Sequence, residues 1–448
     1  MGELGFRRLH WFWLLLVLLP VCQDRRLSES METALLLDWY KHAVFADRFV
    51  EGNKGPVAAR NFAYLGIAGY VASRPFLPVK MRPLQKVIYT PDLPEITHPE
   101  HYFLPAILNS CYHDLSAHFF YPATMEAKEK KMVLYTDWFE TIKNHTDSAT
   151  LSRSEDYGRR LAQAIYQWST SDKEGHQANL HNFDRNYALD MSKGHWEPTS
   201  EFPMPPLLPH YGQARTFTIC PEDYLAQSLP EFTSDAKSVF YHQALELYSL
   251  SNPLSKKNKW IAEFWSDDHT GITFSPPTRW VSIANQVMER ERPGLVRMIE
   301  LYLKLGLALN DATIACWQSK YYYTLLRPET FIKKYIDFSW HPLGHTPSFP
   351  GYPSGHSIMG AVAAEVLTAE FGDHFAMTDR SHEGRKEFLS APRSYTSFRQ
   401  MAEENAFSRI ALGVHFRIDC EEGLRLGYQI GQVVNNMTLR ENSDLSSR

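Results

Sequence analysis

Three short stretches in the second half of the chain hold residue types that can manage an oxyanion. The first, "KYYYTLLRP", sets Lys320 and Arg327 seven residues apart. On one continuous α-helix that is two turns less about 20°, so both cations would share a face. Their neighbours Tyr321, Tyr322, Leu325 and Leu326 argue against a purely solvated charged face. The second, "FPGYPSGHSIMGAVAAEVL", runs from Phe349 to Leu367. Ser354 suits a helix N-cap, Gly355 keeps a Cβ out of a ligand's way, and the freed amides of a helix start attract an anion. His356 stands beside them as a proton donor or acceptor. In the third, "SRIALGVHFRID", Gly413 reads as a helix stop, so that Arg409 closes one helix and His415 opens the next. His415 and Asp419 lie four apart, where on one helix face the carboxylate steers the imidazole.

Each stretch alone has an ordinary explanation: a solvated charged face, a capped helix with a surface histidine, a structural His–Asp contact. Together they describe a pocket for a tetrahedral oxyanion, with one histidine placed to bond its central atom and the other to handle protons. No cluster of carboxylates or cysteines follows the ligand pattern of a divalent-metal cage.

The elements that must position these groups are helical. Apolar residues recur at three- and four-residue spacing over Ala34 to Ala46, Ala58 to Ala72, Leu104 to His118, Ser154 to Ser169, Val239 to Leu250, Trp280 to Leu309 and Ala312 to Leu326. Strand-like alternation is scarce, and the expected class is an all-α helical bundle with long proline-rich loops. From about Glu174 to Asp235, with "EPTSEFPMPPLLPHYGQ" at its centre, proline density forbids regular helix. Its aromatic and aliphatic content marks it as a surface excursion rather than a flexible linker. The expected division is a leader over 1–23, an amino-terminal helical region over 24–235 that packs on the catalytic half, and a catalytic bundle over 236–440.

The chain has 448 residues, 44% of them hydrophobic, which suits a globular protein with a sizeable core. A net charge of −5 without a basic block excludes the electrostatic footprint of a nucleic-acid binder. At the amino terminus, Arg7 and Arg8 precede an apolar run from Trp11 to about Val21. That is a secretory signal in outline, too short for the ~20 residues that cross a bilayer. A secreted protein without a membrane-spanning segment follows, with lipid anchoring at Cys22 as the alternative. The sequons at Asn144 and Asn436 are compatible with glycosylation on that route. Cys111, Cys220, Cys316 and Cys420 would then permit two bridges in three pairings, or remain buried thiols.

The ordered set K-x6-RP, PSGH and SR-x3-GxH-x3-D resembles the three signature motifs of the vanadium-dependent haloperoxidase and type-2 phosphatidic acid phosphatase superfamily. The resemblance covers roughly residues 260 to 434. It implies the helical bundle of that superfamily. It also implies that Lys320, Arg327, Ser354, Gly355 and Arg409 bind the oxygens of vanadate or phosphate, that His415 bonds vanadium or attacks phosphorus, and that His356 is the acid–base residue. "FWSDDHTGITFSPPTRW" resembles a family stretch in which an aspartate supports the anion-binding arginine, here Asp268. Two enzymatic readings follow. In one, a haloperoxidase uses vanadate, hydrogen peroxide and halide, and Phe349 and Tyr352 form the apolar wall that a soft halide prefers. In the other, a phosphatase without a cofactor hydrolyses phosphate monoesters through His415. The haloperoxidase reading is preferred on the form of "FPGYPSGH". A non-catalytic extracellular protein on the same fold is disfavoured, because folding does not require Lys320, Arg327, His356, Arg409 and His415 to be kept together.

Overall fold

A computed structural model describes residues 20–199, 204–251, 253–267, 269 and 271–441, with backbone alone over 20–30. Residues 1–19 of the expected leader lie outside the described residues. Among the described residues thirteen α-helices follow in order: α1 (Pro20–Asp47), α2 (Gly55–Ser73), α3 (Leu104–Phe119), α4 (Met125–Ile142), α5 (Ser148–Thr170), α6 (Val239–Ser251), α7 (Lys256–Phe264), α8 (Pro276–Glu291), α9 (Leu295–Tyr323), α10 (Pro328–Tyr335), α11 (Gly355–Phe371), α12 (Phe398–Leu412) and α13 (Arg417–Asn435). A short antiparallel ribbon, β1 (Met377–Asp379) and β2 (Arg393–Tyr395), sets Met377 opposite Tyr395 and Asp379 opposite Arg393. The fold is all-α, as the periodicity implies.

Two boundaries differ from the periodic reading. The run expected from Trp280 to Leu309 is two helices. Arg292 takes a left-handed conformation at φ 46°, and Pro293 and Gly294 follow before α9 begins at Leu295. Conversely, Asn310 and Asp311 do not interrupt α9. The Asp311 carboxylate, fully buried, accepts from the Phe217 amide at 2.9 Å and from the Thr218 amide and hydroxyl at 2.6 Å each. Its polar demand is met from outside, and the helix continues through it.

One continuous core takes residues from both sides of position 235, including Leu35, Tyr64, Tyr112, Trp317, Ile358 and Ile430. At its centre α2 packs on α9, and α11 packs on α13. The second pairing is close because Gly423, Gly427 and Gly431 recur every fourth residue along one face of α13. A Cβ added at Gly427 would lie 2.5 Å from the Ile358 carbonyl, and one at Gly423 2.7 Å from the Ser354 carbonyl. This contact brings the start of α11 onto the start of α13. The proline-rich excursion forms short 3-10 turns at Tyr211–Gln213 and Pro221–Tyr224. It then braces the loop before α11: Gln227 donates to Glu422 at 2.8 Å, and Tyr352 donates to the Gln227 carbonyl at 2.6 Å.

Candidate active site

Lys320 lies in the last turn of α9, fully buried. Its Nζ donates to the carbonyls of Pro350 at 2.9 Å and Gly351 at 2.8 Å. Arg327 is not on the same helix face, contrary to the seven-residue spacing. Thr324 turns left-handed at φ 48° and ends α9, and Arg327 becomes the N-cap of α10 in extended conformation at φ −85°, ψ 155°. Pro328 is the cause, since a residue before proline is driven out of the α region. The two cations nevertheless hold one loop: Arg327 donates through Nε to the Phe349 carbonyl at 3.0 Å and through one amino group to Val414 at 2.8 Å.

That loop ends at Ser354, the N-cap of α11, whose hydroxyl accepts from the Ser357 amide and hydroxyl. The Ser354 amide donates to the Asp419 carbonyl at 2.8 Å. The amides of the first turn have no acceptor inside the helix and form an electropositive end. A Cβ at Gly355 would make only ordinary contacts with Trp317 and Met359, so packing alone does not demand glycine there. His356, next in the chain and half-buried, presents Nε2 to an Arg409 amino group at 3.3 Å.

Arg409 sits in the last turn of α12, which Gly413 closes in the left-handed region at φ 85°. Its other amino group donates to the Trp265 carbonyl, and its Nε to Ser408 at 2.9 Å. His415 comes before α13 rather than on it, because Phe416 is the N-cap. Asp419, in the first turn, reaches back: its Oδ2 accepts from the Phe416 amide at 3.1 Å and faces His415 Nδ1 at 3.0 Å. The proton therefore sits on Nδ1 and the Nε2 lone pair is left for another partner.

The charges are unbalanced. Burial pushes Lys320 down to about 7, and Arg327 and Arg409 down to about 10. Burial, reinforced by these cations, holds both His356 and His415 well below the usual histidine value, so both imidazoles are neutral. Burial pushes the Asp419 carboxyl upward, against the pull of Lys320 and Arg327. The hydrogen bonds of the three cations go to carbonyls, the Ser408 hydroxyl and imidazole nitrogens. The second amino group of Arg327 is buried with no acceptor among the described residues. A buried cluster of cations with an unpaired guanidinium donor is completed by an oxyanion, and a tetrahedral vanadate or phosphate has the oxygens to meet these donors. The Phe349 ring forms one wall, 5.1 Å from Lys320 Nζ and 4.9 Å from the Arg327 guanidinium carbon.

Three further residues join the site without having been singled out from the sequence. Trp317 lies one helical turn before Lys320, its ring 5.2 Å from Phe349 and its buried indole N–H without a partner among the described residues; the i, i+3 spacing was the available signal. The expected supporting aspartate, Asp268, lies outside the described residues. Its neighbour Asp267 is buried, stabilises the charge of Arg409 and accepts from Arg279 at 3.3 Å. Trp265 offers the carbonyl that Arg409 uses. Cys111, Cys220, Cys316 and Cys420 are free thiols, so of the two alternatives the unbridged one holds, with Cys111, Cys316 and Cys420 buried and Cys220 exposed. No helix among the described residues is long and apolar enough to cross a membrane.

Comparison with known proteins points the same way. Residues 300–443 match the family model of the VCPO second helical-bundle domain. The vanadium chloroperoxidase of Curvularia inaequalis is 22% identical over 225 residues, and the match spans 37% of this chain and only 37% of that protein's length. A bacterial vanadium-dependent iodoperoxidase has the same fold with a TM-score of 0.77 and 27% identity, over 91% of this chain and 96% of its own. A bacterial vanadium-dependent chloroperoxidase superposes with a TM-score of 0.65 at 14% identity, over 86% of this chain and 92% of its own. Residues 300–443 thus carry the second helical bundle of the VCPO family, and the helical fold, the three motifs clustered around buried cations and these relatives together support the vanadium haloperoxidase superfamily for the chain.

Proposed function

We propose that the protein is a vanadate-dependent haloperoxidase, which oxidises halide with hydrogen peroxide to a hypohalous species. The observation that carries this reading is the neutral His415, its Nε2 lone pair turned from Asp419 toward the buried Arg327 guanidinium, which keeps an unpaired amino group among the described residues. Lys320, Arg327, Ser354, Gly355 and Arg409 would hold the vanadate oxygens, and His415 would be the metal ligand. When bound, vanadate supplies a Lewis acid that activates peroxide toward halide. Asp419 keeps the His415 ring in one tautomer and orientation. His356, neutral and beside Arg409, accepts and returns a proton at its imidazole. Phe349 and Trp317 make a wall that favours a weakly hydrated anion, and the similarity to an iodoperoxidase makes iodide the first halide to test.

The same His415 lone pair favours a second reading, attack on a phosphate monoester, because trigonal-bipyramidal vanadate has the shape of a phosphoryl-transfer transition state. One paired assay separates the two. Protein loaded with orthovanadate is given peroxide with iodide, bromide or chloride, and vanadate-free protein is given p-nitrophenyl phosphate. Vanadate-dependent halide oxidation that excess phosphate suppresses supports the first reading. Ester hydrolysis without vanadate supports the second, and inactivity in both assays overturns both. The leader pattern adds the proposal of export from the cell, tested by whether the protein accumulates in the medium with its amino terminus trimmed.

A further inference from the structure

Arg409 reaches the pocket from a helix end, yet the group that fixes it lies on a different part of the chain. Its amino group donates to the carbonyl of Trp265, in the corner that follows α7. That corner is clamped from two directions. From α12 itself, Glu404 accepts from the Trp265 indole at 3.1 Å while also taking Tyr395 at 2.7 Å and Arg393 at 2.8 Å. From α8, Arg279 covers the corner with a fully buried guanidinium. Its carbon lies 4.7 Å from the Trp265 ring and 4.6 Å from the Phe264 ring, and one amino group donates to the Phe264 carbonyl at 3.2 Å and to Asp267 at 3.3 Å. The opposite edge is anchored by Asp379, whose Oδ2 accepts from Nε at 3.1 Å and from the other amino group at 2.8 Å. His382 closes the remaining side.

A guanidinium so enclosed makes no hydrogen bond to Arg409, His356 or the first turn of α11. Besides Asp379 and His382, it bonds the two residues that flank Trp265 and Ser266, Phe264 and Asp267, and its guanidinium carbon lies over the Trp265 ring at 4.7 Å. Only arginine offers this combination of stacking and several fixed donors; lysine keeps the charge and loses the fork. We infer that Arg279 is a positioning residue for the anion site: it holds the Phe264–Asp267 corner so that the Trp265 carbonyl aims Arg409 at the bound oxyanion. Asp379 serves the same end by anchoring Arg279.

This inference rests on the anion-site reading above, and the experiment separates the two. Orthovanadate affinity is measured by equilibrium dialysis for the full chain and for Arg279→Lys, each in the native background and with Arg409→Ala; Asp379→Asn is carried through the same cycle. If Arg279 acts through Arg409, Arg279→Lys weakens binding about tenfold in the native background and less than about twofold once Arg409 is gone, since residues that share one path are not additive. Equal losses in both backgrounds, or no loss in the folded native-background variant, overturn the inference. Should Arg279→Lys fail to fold, the Asp379→Asn cycle decides by the same criterion, and failure of both to fold assigns Arg279 to the fold and overturns the inference. A native chain that binds neither orthovanadate nor inorganic phosphate overturns the anion-site reading itself, and this inference with it.

Discussion

One amino group of Arg327 donates to the Val414 carbonyl at 2.8 Å and faces Nε2 of His415 at 3.1 Å, although 88 residues separate the arginine from the histidine. The contact confirms that Nε2 is the unprotonated nitrogen, because a guanidinium can only donate. It also makes Arg327 a brace for the turn that carries His415 as well as an anion donor.

Replacing Arg327 by Lys keeps a positive charge but removes the fork that spans Phe349, Val414 and the pocket. Vanadate affinity measured by equilibrium dialysis should fall by at least about tenfold, because a bidentate guanidinium site is not served by a point charge. Unchanged affinity would show that Arg327 braces the turn and does not meet the anion.

The two histidines should separate. His415→Ala should abolish vanadate capture, since Asp419 holds its Nδ1–H and so fixes Nε2 as the ligand nitrogen, a support that His356 lacks. His356→Ala should leave vanadate bound while lowering turnover by the ~10²- to 10⁴-fold typical of a lost acid–base group. A binding titration beside a turnover assay reads both, and equal loss of binding in the two variants would show the roles to be assigned wrongly.

Lys320 gives the site a pH dependence of known sign. Burial lowers its pKa, so in the empty pocket it gives up its proton at a pH below that of a free lysine, while burial raises the neighbouring Asp419 carboxyl toward the same range. A bound anion stabilises the charged form, so binding takes up a proton wherever the empty pocket has lost it and weakens as pH rises. Sulfate, which does not itself titrate there, should bind progressively more weakly from pH about 6 to about 9 in calorimetry, and Lys320→Arg, always charged, should flatten the profile. A flat profile in the native chain would count against a titrating Lys320.

The close approach of α11 and α13 should tolerate no side chain. In Gly427→Ala the new Cβ meets the Ile358 carbonyl at 2.5 Å and the Ala361 Cβ at 2.7 Å. Backbone cannot swing aside as a flexible side chain would, so urea unfolding should show a loss of about 1–3 kcal/mol. A neutral result would mean that the two helices separate freely.

The sequence by itself determined the chemistry and most of the local structure around it. The Ser354 cap, the Gly413 stop, the helical class and the identity of the three cations and two histidines all follow from residue type and short spacing, because capping, turn conformation and amphipathic period depend on neighbours a few residues away. Tertiary structure decided how those groups meet. Lys320 and Arg327 share no helix face, because α9 ends at the left-handed Thr324 and Pro328 keeps Arg327 extended, and they converge on the Phe349–Gly351 loop instead. Asp419 steers His415 from the first turn of α13 back across the N-cap, not along one helix face. The clamp of Arg279 with Asp379 and Asp267 left no trace in local pattern. Its partners lie about 100 and 12 residues away, and only the packing of α7, α8 and the β1 edge brings them together. The depressed pKa values belong to the tertiary level as well, since burial is their largest cause and burial is a property of the assembled core.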